Sequence, residues 1–327
     1  MHRIAGLLLI GAGIFLAAEI RFARAQDLIP VRGTQPVAFQ SARMVGRIES
    51  RQLIECSGMD ASMVAEDLFW AVNDSGSGPF IYALGRDGRD RGRVGIAAAE
   101  NRDWEDLATF IWQGQPMILI ADFGDNKRQY TTHTLYIVNE PRLPGRREGL
   151  SGTVNIAWKI EFTYPDGSHD AEGVTVDPAA GEVLVLTKRD KPPLLFALPL
   201  KANASGRKAT ARFVAAMDRI PEPTPRDLQQ PYGAVRSRPT GIDLSPDGSA
   251  MVVLTYKHAY LFGREPGASW ATVLGRRPIL IELPLPEDCQ ALAQREAICF
   301  SMDGASLLVT SEGDGPGLFL LPRSRVR

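Results

Sequence analysis

The chain has 327 residues, 37 Lys and Arg against 38 Asp and Glu, and a formal net charge of −1. A balance this close to neutral argues against a nucleic-acid polyanion as the main partner. The 31 glycines and 23 prolines favour a turn-rich fold, and 44% hydrophobic residues suffice for a substantial core.

The first 25 residues read as an export signal. Arg3 is the positive start, Ile4 to Ala18 is an uninterrupted apolar run, and Ala23-Arg24-Ala25 is an A-x-A cleavage site. A membrane helix is the rival reading, but the run is shorter than the roughly 20 apolar residues that span a bilayer. Cleavage would leave a mature chain from Gln26 with 34 basic and 37 acidic side chains, periplasmic or secreted, monomeric and without stable membrane insertion. Residues 26–327 are expected to form one domain.

Beyond Gln26 the chain repeats a unit of about 60 residues. Each copy opens with a small or acidic residue followed by an aliphatic one: Ser57-Gly58-Met59, Glu105-Asp106-Leu107, Glu172-Gly173-Val174, Thr240-Gly241-Ile242 and Glu296-Ala297-Ile298. A short, wholly apolar segment follows each, at Leu68 to Val72, Met117 to Ala121, Val183 to Leu186, Met251 to Leu254 and Leu307 to Val309. Such runs, bounded by turns, suit strands buried on both faces. Turn chemistry agrees at Pro178-Ala179-Ala180-Gly181, Ser245-Pro246-Asp247-Gly248 and Met302-Asp303-Gly304.

Third strands are expected at Phe80 to Leu84, Leu135 to Val138, Leu194 to Leu198, Ala259 to Phe262 and Leu318 to Leu321. Fourth strands fall at Val94 to Ala98, Val154 to Phe162, Ala211 to Met217 and Ile279 to Leu283. The last copy lacks a fourth strand, while an unassigned strand-like segment, Val37 to Ile48, lies near the start. The pattern predicts an all-β, single five-bladed β-propeller of four-stranded blades, its ring closed by pairing an N-terminal strand with the C-terminal blade. A β-sandwich is the alternative, but it does not explain a missing strand at one end and a spare one at the other.

In a propeller the opening strands line the central channel, so Ser57, Glu105, Glu172, Thr240 and Glu296 converge. Three carboxylates brought together require positive charge. Ca²⁺ meets that need, with Glu105, Glu172, Glu296, Asp122 and Asp170 as metal ligands and Asn73, Asp74, Asp103 and Asp106 as neighbouring oxygen groups. Cys and His show no zinc spacing. The alternative is that these acids cap backbone N–H groups or pair with Arg102, Arg295 and Lys188.

Lys127, Arg128, Lys188, Arg189, Lys257 and His258 follow the second strands. They suit recognition of a small anionic molecule, or are solvated loop charges. His169, three residues before Glu172, is a candidate proton shuttle, with Lys188, Arg189 and Lys257 as catalytic cations. Trp104, Tyr130 and Tyr256 are expected around the mouth. Gly76-Ser77-Gly78 lacks the spacing of a serine-hydrolase elbow. Cys289 and Cys299 would close a short loop if bridged; otherwise Cys56 and Cys299 are small buried hydrophobes.

The series ECSGM, VNDSG, DWEDLA, ADFGDN, DAEGV with VLTK, TGIDLSPDG, and REAICF with TSEGD, from about Leu53 to Glu312, resembles exported bacterial β-propeller proteins grouped with phytase-like and esterase-like families. The resemblance implies acidic axis residues, here Glu105, Glu172 and Glu296. It also implies an activity among calcium-dependent phosphatases, nucleotidases and lactonases. Ser57 and Thr240 depart from a uniform acidic ring. The expected function is Ca²⁺-dependent hydrolysis of a small phosphoester or lactone, and the alternative is a non-enzymatic propeller that binds a small molecule, a glycan or an envelope protein.

Overall fold

The computed structural model describes residues 38–143, 149–201 and 207–324, and the segment read as an export signal lies outside them. After β1 (Ala38–Phe39) and β2 (Arg43–Arg47), the chain forms an antiparallel meander of β3 (Cys56–Ala61), β4 (Leu68–Asn73), β5 (Phe80–Gly85) and β6 (Asp90–Ala97). A second meander follows: β7 (Trp104–Trp112), β8 (Gln115–Asp122), β9 (His133–Asn139) and β10 (Thr153–Thr163). β10 pairs in parallel with β6, through Thr153 opposite Gly95, which joins the two meanders into one sheet.

The next sheet comprises β11 (Ala171–Asp177), β12 (Glu182–Thr187), β13 (Leu194–Pro199) and β15 (Arg212–Ala216), while the two-residue β14 (Ala209–Thr210) pairs with β10. Then come β16 (Pro239–Leu244), β17 (Ala250–Thr255), β18 (Ala259–Gly263) and β19 (Ile279–Ile281). The last run is β20 (Arg295–Phe300), β21 (Ser306–Ser311) and β22 (Gly317–Ser324). Its outer position is taken by the N-terminal residues: β2 pairs antiparallel with β22, Met44 opposite Phe319, and β1 pairs with the far end of the same strand. The described part of the segment expected at Val37 to Ile48, from Ala38 onward, therefore supplies the partner that the C-terminal strands lack.

Burial explains why these segments are strands. β4, with the sequence LFWAVN, and β12 and β17 sit between neighbours on both sides and faces, so they are apolar almost throughout. β10, at an outer position, alternates exposed and half-buried residues over its first half. Two first-to-second hairpins use one turn: Gly248 and Gly304 both have φ of 65°, and Asp247 and Asp303 accept from the backbone N–H two residues on.

The opening strands pack on one another in cyclic order, β3 on β7, β7 on β11, β11 on β16, β16 on β20 and β20 back on β3. The fold is accordingly all-β and propeller-like. Close approach is built into it: a Cβ on Gly173 would lie 2.4 Å from Ile242 Cγ2. Ile48, Met59 and Phe69 share an apolar cluster with Cys299, Leu308 and Leu318, so the two ends of the chain bury each other. Cys56, Cys289 and Cys299 are free thiols, and the buried Cys56 and Cys299 belong to that same cluster as small hydrophobes.

Buried aspartates staple neighbouring opening strands. Asp60 accepts from the N–H of Ala61 beside it and from the N–H of Thr109 on β7. Asp106 does the same with Leu107 and with Val174 on β11, and Asp243 with Leu244 and with Phe300 on β20.

Candidate functional site

The opening and second strands of each meander are out of register by one residue at one level. Pairing jumps from Cys56 to Gly58, from Trp104 to Asp106, from Ala171 to Gly173, from Pro239 to Gly241 and from Arg295 to Ala297. Ser57, Glu105, Glu172, Thr240 and Glu296 are the extra residues of these bulges. A bulge releases a residue from the ladder and re-aims its side chain, and all five are buried.

The residues that follow the second strands stand next to this column. Asp74, Lys188, Tyr256 and Glu312 occupy equivalent places, one residue beyond Asn73, Thr187, Thr255 and Ser311, which pair with the residues just before the bulges. Ser57 Oγ donates to Glu105 Oε2 at 3.1 Å. Lys188 Nζ lies 2.7 Å from Glu172 Oε1 and 4.0 Å from Glu296 Oε1, and Tyr256 OH donates to Glu296 Oε1 at 2.5 Å. Gln294 donates to Glu312.

Asp74, Asp103 and Glu105 each offer a carboxylate oxygen within 4.8 Å of the others. Gly124 leaves room for them: a Cβ there would lie 2.3 Å from Glu105 Oε1 and 2.6 Å from Asp103 Oδ2. Asp103 is placed by its own N–H, which donates to Asp122 Oδ1 at 2.9 Å, and by its carbonyl, which accepts from Gly124 N–H at 3.0 Å.

Carboxyl groups outnumber cations here. Burial, then the charges of Glu172 and Asp74, push Glu105 well above the usual carboxylate range. Burial raises Asp103 to about 6, with Asp74 beside it adding to the effect. Glu172 is pushed up to about 8 by burial, although Lys188 opposes this, and Glu312 rises to about 9 through burial and the neighbouring Glu296. Burial pulls the Lys188 ammonium down, but Glu172 and Glu296 outweigh it and hold it above the ordinary lysine value. Glu172 Oε2 is buried and accepts no hydrogen bond among the described residues.

The residues expected at this site divide into two groups. Glu105, Glu172 and Glu296 come together, with Lys188 supplying positive charge between the latter two. Asp122 holds the Asp103 backbone. Asp170 accepts from Asp125 N–H at 3.0 Å and lies 2.5 Å from Arg189 Nε. Lys257 pairs with Asp227 at 2.8 Å, while Arg128 pairs with Asp190 at 2.5 Å and Lys127 is exposed.

His169 has both ring nitrogens engaged, Nδ1 with Asp190 at 2.8 Å and Nε2 with Asp166 at 3.0 Å. The bond to Asp190 leads in raising its pKa above the usual histidine value, against the effect of burial. Trp104, expected as an exposed mouth aromatic, is fully buried, because its indole N–H donates to Glu100 O and its ring packs by Tyr136. Tyr130 is covered by the Arg102 guanidinium at 4.1 Å.

Sequence reasoning gave Asp74 and Asp103 only a neighbouring role and passed over Glu312. Polar residues at the second-strand ends, Asn73-Asp74, Thr187-Lys188, Thr255-Tyr256 and Ser311-Glu312, were the available signal.

No family model matches the chain, and no curated protein matches it. Among solved structures, Kuenenia stuttgartiensis hydrazine synthase is similar over 83% of this chain and 72% of that chain, with 9% sequence identity and a TM-score of 0.44. A likeness that distant carries no argument about activity, so the chemistry has to be read from the side chains themselves.

Proposed function

We propose that the chain is an exported five-bladed β-propeller whose channel mouth is a divalent-cation-dependent hydrolase site for a small anionic substrate. The cyclic packing of β3, β7, β11, β16 and β20 supports the blade count, and the pairing of β2 with β22 supports closure through the N-terminal strand. The hydrolase reading rests on the convergence of Asp74, Asp103 and Glu105 within 4.8 Å beside the bulge column.

The residues fit a hard cation. The donors are all carboxylate oxygens, which Ca²⁺ prefers and softer metals do not. The space above Glu105 and Asp103 exists because residue 124 has no side chain, and the excess of buried carboxyls calls for added positive charge. Asp74, Asp103 and Glu105 would hold the ion, with Ser57 orienting Glu105 through its hydroxyl. A bound divalent cation supplies Lewis acidity toward a phosphoryl or carbonyl oxygen.

The protein's own residues do the remaining work. Glu172, held near 8, carries a proton at neutral pH, and its buried, unpartnered Oε2 is the atom free to hold that proton beside the column. Lys188 keeps Glu172 and Glu296 in place and limits their repulsion. His169, clamped by two carboxylates, fixes the loop that carries Asp170 rather than moving a proton.

The test is hydrolysis by the full chain across phosphoesters and lactones with Ca²⁺, Mg²⁺ or Mn²⁺ supplied. Turnover that disappears with chelator and in Glu105→Gln is expected. Absence of turnover over the whole panel would favour the second reading, a non-enzymatic propeller that binds a small molecule, a glycan or an envelope protein and uses its channel charges to hold the ring together, which the pairing of Lys188, Arg189 and Lys257 with acids supports.

A further inference from the structure

A cavity of about 570 Å³ opens beside the carboxylate column, under the loops before β16 and before β20. Its lining includes Lys188, Tyr256 and Gln294, the groups that contact Glu172, Glu296 and Glu312 respectively. A molecule lying there would therefore present one end to the acids of the column.

Four cations line this cavity against one carboxylate, Glu287. Three of the four are committed. Lys188 faces Glu172, Arg189 faces Asp170, and Arg236 is shared between Asp227 at 3.1 Å and Glu287 at 2.5 Å. Arg238, half-buried, takes part in no ion pair among the described residues. A guanidinium free of a carboxylate and facing a cavity is suited to bind one anionic group in a two-pronged manner.

The remaining lining mixes polar groups with the apolar side chains of Pro231, Val235, Pro286 and Ala293. The side-chain amides of Gln230 and Gln290 make no hydrogen bond among the described residues, so each offers a donor and an acceptor to the cavity. Tyr256 provides a ring face. Paired donors and acceptors beside aromatic and aliphatic surface suit a ring with hydroxyl edges and C–H faces.

We infer that this cavity binds a hydroxyl-rich small molecule with one acidic group, that group on Arg238 and its hydroxyls on Gln230 and Gln290. The inference deepens the reading of the site as one for small anions and rests on it for the direction of approach. Binding in the cavity itself does not require a metal. The shared chemistry is a carboxylate or a phosphate monoester on a sugar-sized body.

Calorimetric titration of the full chain in chelator tests this with glucose 6-phosphate, glucuronate, glucose and inorganic phosphate. At least one sugar anion should bind, with glucose and inorganic phosphate each at least about tenfold weaker, and Arg238→Gln should weaken the sugar anion by roughly ten- to a hundredfold. Gln290→Ala, at an exposed position, should weaken the sugar anion severalfold and leave inorganic phosphate unchanged. Binding by only one of the two anions identifies carboxylate or phosphate as the preferred group.

Failure of both sugar anions to bind overturns the inference. So does glucose or inorganic phosphate binding as tightly as the sugar anion, or an Arg238→Gln protein that folds and binds as before. Glu105→Gln should leave this binding intact, so loss of metal binding and loss of cavity binding are separate outcomes.

Discussion

The Lys188 ammonium lies 2.7 Å from Glu172 Oε1, and both side chains are buried beside a third group, Glu296. The pair places the cation of one second strand against the bulge residue of its own opening strand. Removing one partner of such a pair leaves an uncompensated charge, which costs about 3–5 kcal/mol.

Lys188→Met should therefore lower unfolding stability by about 3 kcal/mol near pH 8, measured by urea denaturation. Adding Glu172→Gln should recover part of the loss. The pH dependence has a definite sign. The folded Glu172 carboxyl sits near 8, above its ordinary 4.5, so its contribution is present below pH 4.5 and is lost as pH rises through 8. Removing Lys188 takes away the group that opposes this shift, so in the variant the loss should continue to higher pH.

The aspartate staples predict a cost at positions far from the site. Asp243 accepts from Leu244 and Phe300 N–H, and in Asp243→Ala both donors lose their partner in a buried setting. The change should destabilise by about 2–4 kcal/mol, from the expense of unsatisfied buried donors. Guanidinium unfolding of the single variant checks it, with Asp247→Ala at the exposed turn as a milder comparison.

Much of this arrangement could be read from residue order. Short apolar runs such as Leu68 to Val72 marked second strands, since a segment buried on both faces must be apolar on both. The spare strand near the start and the missing one at the end pointed to the pairing now found between β2 and β22. Glu105, Glu172 and Glu296 were legible as a column by their repeated place.

Other features depended on contacts that no local pattern encodes. The bulges that turn Ser57, Glu105, Glu172, Thr240 and Glu296 out of the ladder arise from how strands pair, not from their composition. Trp104, expected among the exposed aromatics of the mouth, is buried with its indole N–H on Glu100 O. Arg238 differs from Lys188, Arg189 and Arg236 in having no ion pair among the described residues, a contrast made by distant contacts.

His169 predicts a pH effect of its own. Its pKa is raised chiefly by Asp190, so the stabilisation it brings is full below the ordinary 6.5 and is lost as pH rises through the folded value. His169→Gln should remove that dependence. The stability difference between the two proteins, followed by thermal melts from pH 5 to pH 9, should shrink as pH rises. A constant difference would mean that packing against Tyr164, 4.8 Å away, is all the ring contributes.

The pairing of β2 with β22 makes the latter sensitive to its partner. Deleting residues up to Arg47 removes the strand opposite Phe319 and Leu320 and leaves an unpaired apolar edge. The truncated chain should lose its cooperative melt or self-associate, as seen by light scattering, whereas a monomer with an unchanged melt would show that β2 is dispensable.

The most direct test of the site is calcium titration of the full, chelator-stripped chain by calorimetry, alongside Asp103→Asn and Glu105→Gln. One ion per chain should bind to the unaltered protein and be lost in both variants, each still folded by circular dichroism. No binding by the unaltered protein, or binding that survives Glu105→Gln unchanged, would contradict a cation site at Asp74, Asp103 and Glu105.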